Sequence, residues 1–214
     1  MILQEERELV VEYGIKMCEL GLTSGTFGNV SVYNPDRGLM AICPSGMDYY
    51  RILPEDVVVL TPDGEKVDGT AKPSSEYDLH RIFYQMRPGI TGVIHTHSIF
   101  ATTCACMHWS IEPVHYNIAY SGHDVPCIPF VRPGTYELAQ TVFDAMGDDR
   151  FACLLGNHGL LTVGADIAYA LDVAEQIEYV AHLYYNTRLA GGGKNLAPEQ
   201  VQPFVDAYPS YRKK

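Results

Sequence analysis

The sequence predicts an α/β layered domain whose sheet is mixed or largely antiparallel, and three observations support that prediction. Short apolar strand-like runs alternate with longer segments of helical periodicity. Turn signals such as Pro62-Asp-Gly64 are short enough to join antiparallel neighbours. The 214 residues, 47% hydrophobic and 19% charged, can bury a sizeable core. No Pro- or Ser-rich linker divides the chain, so residues 1–214 read as a single domain.

In chain order, Leu9, Val10, Tyr13, Met17 and Leu20 recur at helical spacing within residues 4–20, and Gly21 supplies the stop. A loop rich in glycine and hydroxyls follows at 23–31, with strand patterns at 30–33, 39–43 and 57–61. Residues 75–87 carry the apolar stripe of a second helix. Further strands are expected at 92–97, 125–130, 152–155 and 160–163, and further helices at 99–107, 134–146 and 167–190. Gly191-Gly-Gly-Lys194 lacks the spacing and the Ser/Thr of a Walker loop and reads as a flexible connection to the tail. No Gly-x-Gly-x-x-Gly fingerprint indicates a dinucleotide.

A formal net charge of −11 argues against a nucleic-acid surface and leaves a small ligand as the expected partner. The first residues lack the basic and apolar regions of a signal peptide, and no run approaches a membrane span, so a cytoplasmic protein without a membrane partner is expected. The six cysteines show no Cys-x-x-Cys spacing and read as free thiols, buried by default.

Chemistry concentrates in four side chains. His95 and His97 lie in Gly92-Val-Ile-His-Thr-His-Ser98, where a strand would point residues two apart to one face. His158 sits between glycines in Gly156-Asn-His-Gly159, a setting that reads as a tight turn presenting one side chain. Three neutral imidazoles would leave a divalent ion an open coordination position, the mark of a catalytic site. Glu76 closes Pro73-Ser-Ser-Glu76. With His80 it also forms an i,i+4 pair that could compete for a metal, although His80 fits the pattern of a partly buried helix histidine. Gly25-Thr-Phe-Gly-Asn29, Pro44-Ser-Gly46 and Pro73-Ser-Ser75 combine small residues, hydroxyls and backbone donors suited to an anion. Capping is the ordinary role of such a Pro-Ser-Ser.

Taken in order, Gly25-Thr-Phe-Gly-Asn-Val-Ser31, Pro44-Ser-Gly46, Lys72-Pro-Ser-Ser-Glu76, His95-Thr-His97, Val114-His-Tyr-Asn-Ile-Ala119, Pro126-Cys-Ile-Pro-Phe130, Gly134-Thr135 and Asn157-His-Gly-Leu160 resemble the class II aldolase/adducin-head family over nearly the whole chain. The match is nearest to its fuculose-phosphate branch. The resemblance implies a three-layer α/β/α domain with a mixed, mainly antiparallel central sheet, assembled as a C4 homotetramer with sites at subunit interfaces. It implies one Zn2+ per subunit on His95, His97 and His158, with Glu76 as a ligand that detaches to act as the base. Phosphate would sit on Thr26, Gly28, Asn29, Ser45, Gly46, Ser74 and Ser75. Tyr116 and a tail tyrosine, Tyr208 or else Tyr211, would exchange protons.

The activity so implied is retro-aldol cleavage of L-fuculose 1-phosphate or a similar ketose 1-phosphate, giving dihydroxyacetone phosphate and L-lactaldehyde. The family's pentulose-phosphate 4-epimerases are the enzymatic alternative, but the resemblance to them would place aspartate where this chain has Glu76. Adducin-head interaction domains lack the zinc histidines that remain here. A Schiff-base aldolase needs a desolvated lysine, and Lys16, Lys66, Lys72 and Lys194 are poorly placed for one. In Val131-Arg-Pro-Gly-Thr135, Pro133 replaces the aromatic that precedes Gly-Thr in the fuculose branch and could reshape the aldehyde end of the pocket, while Arg132 reads as a surface charge.

Overall fold

Every residue of the apolar run Gly92–Thr96 is buried, and this run forms the strand β5 inside the sheet. The computed structural model describes the backbone of residues 1–211 and the side chains of residues 1–208, so the Tyr211 side chain lies outside the described ones. The other strands are β1 (Asn29–Asn34), β2 (Leu39–Ile42), β3 (Val58–Leu60), β4 (Lys66–Asp68), β6 (Cys127–Ile128), β7 (Ala152–Leu155) and β8 (Gly159–Gly164). Among the described residues they make one eight-stranded sheet in the order β4-β3-β2-β1-β5-β8-β7-β6. Every pairing is antiparallel except β6 with β7, which gives the mixed, mainly antiparallel sheet expected.

Helices α1 (Gln4–Glu19), α3 (Ile99–Cys106) and α5 (Ile167–Leu189) cover one face, and α2 (Tyr77–Met86) and α4 (Tyr136–Met146) the other. The two-residue pleat sorts the core accordingly. Ala152, Leu154 and Leu160 join the cluster under α3 and α5, while Cys153, Leu155, Leu161 and Val163 join the one that includes α2 and α4. Gly92 has to be glycine, because a Cβ there would meet the backbone of Ile167 at 2.5 Å where α5 crosses β5.

Three elements differ from expectation. The strand expected at 125–130 shrinks to β6, since Pro126 and Pro129 cannot donate to a ladder. Strand β4 went unpredicted because Lys66-Val-Asp68 is short, polar and exposed, and only its pairing with β3 defines it. The tail is a helix, α6 (Pro198–Tyr211), opening on a proline at its first position and burying Val201 against the second cluster. No helix among the described residues is long and apolar enough to cross a membrane.

The register places the site. Asn29 on β1 pairs with His95 on β5, and His95 pairs in turn with Leu161 on β8. The glycine-loop end of β1, the histidine end of β5 and the turn into β8 therefore meet at one end of three adjacent strands.

Candidate metal centre

His95 is fully buried at the end of β5, and His97 follows just past the strand. Their Nε2 atoms lie 3.0 Å apart. His158 joins from the β7–β8 turn, its Nε2 3.2 Å from that of His95. The turn is tight because the His158 N–H donates to the Leu155 carbonyl at 2.9 Å while Asn157 takes a left-handed φ of 55°. Glycine on either side is a steric requirement. A Cβ on Gly156 would meet the Ile128 carbonyl oxygen at 2.6 Å, and one on Gly159 would meet the Thr96 carbonyl oxygen and stand 3.0 Å from His95 Cε1.

The His95 tautomer follows from its partners. Nδ1 faces the Leu160 carbonyl at 3.0 Å and must donate, so Nε2 presents a lone pair toward the other two imidazoles. Burial holds His95 well below the usual histidine range, helped by the neighbouring His158 and His97; burial likewise lowers His97 and His158. The three rings are therefore neutral donors at pH 7.

Glu76 immediately precedes α2 and turns its carboxylate into the same space. Oε2 is 3.5 Å from His95 Nε2 and accepts from Asn29 Nδ2 at 2.9 Å. Oε1 is 3.5 Å from His158 Nε2 and is buried without a hydrogen-bond partner. These atoms fit a divalent ion. Tetrahedral coordination at about 2.05 Å from imidazole nitrogen separates ligand nitrogens by about 3.3 Å, close to the separations His95 makes. The unpartnered Oε1 is a fourth donor of the right type. The three histidines also stand out as a ligand cluster by mutual proximity, with their donor atoms all within 4.8 Å of one another.

The anion-suited turns lie side by side. An isolated bridge joins Pro44 to Pro73; Ser45 N–H donates to the Lys72 carbonyl at 2.9 Å and Ser74 N–H to that of Cys43 at 3.1 Å. Ser45, Gly46 and Ser75 remain exposed, as does Thr26 on the neighbouring loop, while Ser74 is buried. Gly28, with φ +75°, allows that loop to approach, since a Cβ there would stand 2.6 Å from the His95 carbonyl oxygen. The capping position of α2 belongs to Glu76, and Ser74 Oγ accepts from the Glu76 N–H at 3.3 Å.

Tyr116 and Tyr208 are grouped elsewhere. Tyr116 is 43% exposed, packs on Phe204 of α6 at 4.8 Å between ring centroids and lines a surface cleft with Asn117, Glu175 and Tyr179. Tyr208 Oη donates to Asn117 Oδ1 at 3.2 Å. Arg132 and Pro133 are exposed.

His80, the weighed competitor for a metal, has both ring nitrogens engaged, Nε2 by Asn29 and Nδ1 by Ser31. Sequence reasoning missed Phe27, whose exposed ring stacks on His97 at 5.3 Å and 16°. It also missed Glu178 on α5, whose carboxylate accepts from the Phe100 and Ala101 N–H groups at 2.8 Å and caps α3 just beyond His97. The i, i+78 separation of Glu178 and Phe100 leaves no local signal.

Residues 8–185 match the family described as Class II Aldolase and Adducin N-terminal domain. The chain is 46% identical over 211 residues to a 5-deoxy-D-ribulose 1-phosphate aldolase of Bacillus thuringiensis serovar kurstaki, an alignment that covers 99% of each chain. It is 34% identical over 211 residues to an L-fuculose phosphate aldolase of Haemophilus influenzae, covering 97% of this chain and 95% of that one. The solved structure of an L-fuculose 1-phosphate aldolase superposes with a TM-score of 0.93 at 37% identity, covering 98% of each chain.

Proposed function

The chain belongs to the Class II Aldolase and Adducin N-terminal domain family as a class II, metal-dependent aldolase, and we propose that it splits a methyl-terminated ketose 1-phosphate between C3 and C4, releasing dihydroxyacetone phosphate and a short aldehyde. The observation that carries this reading is the convergence of the His95, His97 and His158 Nε2 atoms beside the half-satisfied Glu76 carboxylate.

The histidines and Glu76 would hold one Zn2+, which when bound supplies Lewis-acid stabilisation of the negative charge that collects on the substrate oxygens as the bond breaks. Glu76, oriented by Asn29, removes the C3 proton in synthesis as the carboxylate and returns a proton to C3 in cleavage as the carboxylic acid. The O4 proton leaves as C4 becomes the aldehyde, so one proton moves from O4 to C3 and the products balance. We assign its exchange to Tyr116, which takes the O4 proton as it releases its own to solvent, with Tyr208 assisting, acting on the site of a neighbouring subunit in a C4 homotetramer; their grouping with each other around Asn117 and Phe204 supports that assignment. Thr26, Gly28, Asn29, Ser45, Gly46, Ser74 and Ser75 would receive the phosphate, and the bridge between the turns at Pro44 and Pro73 supports that grouping.

For substrate we place 5-deoxyribulose 1-phosphate ahead of L-fuculose 1-phosphate. The relative named for the pentulose is 46% identical and that named for the hexulose 34%. Pro133, in place of an aromatic, accords with a different aldehyde end. The pentulose would yield acetaldehyde and the hexulose L-lactaldehyde. The test is dihydroxyacetone phosphate release from each, with L-ribulose 5-phosphate as a third substrate, before and after chelation and zinc restoration. Zinc-restored release, faster from the pentulose, is expected. Epimerisation of ribulose 5-phosphate without release would overturn the aldolase assignment, and faster release from the hexulose would reverse the substrate order.

A further inference from the structure

Behind Glu76 a chain of buried polar groups runs from the site along the face of α2 that packs on β1, ending at Tyr84. Asn29 Nδ2 donates to Glu76 Oε2 at 2.9 Å. Asn29 Oδ1 is in hydrogen-bond contact with His80 Nε2. His80 Nδ1 lies 2.7 Å from Ser31 Oγ, and Ser31 Oγ lies 2.6 Å from the Tyr84 hydroxyl. Asn29, Ser31, Glu76, His80 and Tyr84 are all at most 8% exposed. Water is therefore a poor substitute for any link, and each group depends on the next.

Donor and acceptor roles along the chain are interdependent. An ionised Glu76 carboxylate can only accept, so Asn29 must turn its NH2 toward it and its carbonyl toward His80. That carbonyl requires an N–H on His80 Nε2. Burial pushes His80 down to about 3, so the ring carries a single proton, and Nδ1 must then accept from the Ser31 hydroxyl. The Ser31 hydroxyl, its proton given to His80, can only accept from Tyr84, whose single O–H is shared between Ser31 Oγ at 2.6 Å and the Ser31 carbonyl at 3.1 Å. Reversing any one link turns Asn29 Oδ1 toward Glu76 Oε2 and sets two acceptors face to face.

We propose that Ser31 and His80 are positioning residues that lock the Asn29 amide with its NH2 toward Glu76, anchoring Oε2 and leaving Oε1 as the oxygen free to leave the metal position and work on the substrate. This rests on the aldolase reading for its consequence in turnover, but the locked orientation itself is a property of the metal-free protein. It also explains why a histidine four residues after Glu76 is not a ligand. Its nitrogens serve the base instead of the metal.

Two measurements test it. In metal-free protein labelled with 15N-histidine, long-range 1H–15N spectra should show His80 as the Nε2–H tautomer, with both tautomers appearing in Ser31→Ala. An Nδ1–H tautomer in the unaltered protein, or a tautomer indifferent to Ser31→Ala, overturns the proposal. In zinc-loaded protein, His80→Leu should lower kcat roughly 100-fold, the scale of a small misplacement of a reacting group, with KM and zinc content unchanged. His80→Gln, whose side-chain amide can donate in place of Nε2–H, should recover most of that loss. Equal damage from Leu and Gln would mean that His80 only fills space, and the proposal falls. If no sugar phosphate is cleaved by the unaltered protein, the functional reading fails, and the tautomer measurement alone decides the relay.

Discussion

Arg7 and Glu76 are both buried charged side chains, 1% and 8% exposed, yet their surroundings are opposite. Four of the five N–H donors of the Arg7 guanidinium are engaged. Nε donates to the Ile2 carbonyl at 2.7 Å, Nη1 to those of Pro54 at 3.0 Å and Val57, and Nη2 to Asp68 Oδ2 at 2.7 Å. Glu76 has one oxygen held by Asn29 and the other unpartnered. A charge whose hydrogen-bonding capacity is nearly all taken by carbonyls and a carboxylate of other segments ties those segments together. A charge left half satisfied keeps capacity for something that binds. The first is a clasp between the N-terminus and edge strand β4, and the second belongs to the centre of the sheet and its chemistry.

The largest expected effect is on the Glu76 side of this contrast. Glu76→Gln preserves shape and the contact with Asn29 but removes the base, so turnover should fall by about 10³-fold, within the range for a positioned general base. Three imidazoles should keep most of the zinc bound. Dihydroxyacetone phosphate release together with metal analysis would show it, and a fully active variant would erase the distinction between the two charges.

The Arg7 side should behave in the reverse way. Arg7→Met keeps the aliphatic stem but strands the carbonyls of Ile2, Pro54 and Val57, which should cost about 3 kcal/mol of folding stability. Activity per folded molecule should not change. Urea unfolding read alongside kcat is the check, and an unchanged midpoint would mean that the clasp is dispensable.

A smaller effect sharpens the contrast through pH. His80 is buried neutral, with its proton affinity lowered from the usual value near 6.5 to about 3. Between those values the unfolded chain binds a proton that the native protein refuses, so unfolding takes up protons and stability rises with pH. The contribution is complete above pH 6.5 and declines as pH falls toward 3, at about 1.4 kcal/mol per pH unit for one such group. His95, also buried and lowered, adds in the same direction in metal-free protein. Denaturation midpoints at pH 7, 6 and 5 should fall steadily, and His80→Gln should flatten the slope by one proton. A flat profile between pH 6.5 and 5 would contradict the burial of these rings as neutral groups.

Much of this was legible in the sequence, and what was not has a physical reason. His95-Thr-His97 and the glycine-flanked His158 are local patterns, and strand alternation and turn chemistry sufficed to foresee that each presents a side chain. Their grouping as one metal site was read from the donor chemistry of three imidazoles and strengthened by the ordered resemblance, since no local pattern links His95 and His158 across 63 residues. His80 was legible as a helix-stripe histidine but not as a relay, because its partners lie on β1. Helix α6 was obscured by Pro203 and Pro209, which break a helical pattern read locally. Packing of Val201 and Tyr208 on the second cluster outweighs that local cost. Glycines 191 and 192, both at positive φ, do interrupt the chain there as their composition suggested.

The smallest expected effect concerns an exposed aromatic beside the histidines. Phe27 is 61% exposed, yet its ring lies nearly parallel to His97. His97 has no second hydrogen bond to hold its ring, unlike His95 with Leu160, so the stack is its main orienting contact among the described residues. An aromatic pair of this kind contributes about 0.5–1.5 kcal/mol, and part of that acts on the metal-free protein, where it limits the ring rotation that ligation must otherwise freeze. Phe27→Ala should therefore weaken zinc retention about 3- to 10-fold in chelator competition, while stoichiometry at saturating zinc and kcat under those conditions stay near their original values. Phe27→Leu should not restore retention, because a branched aliphatic covers the ring without stacking flat on it. Equal retention in all three proteins would show that His97 is oriented by the backbone alone, leaving the exposed ring to serve the substrate or a neighbouring subunit.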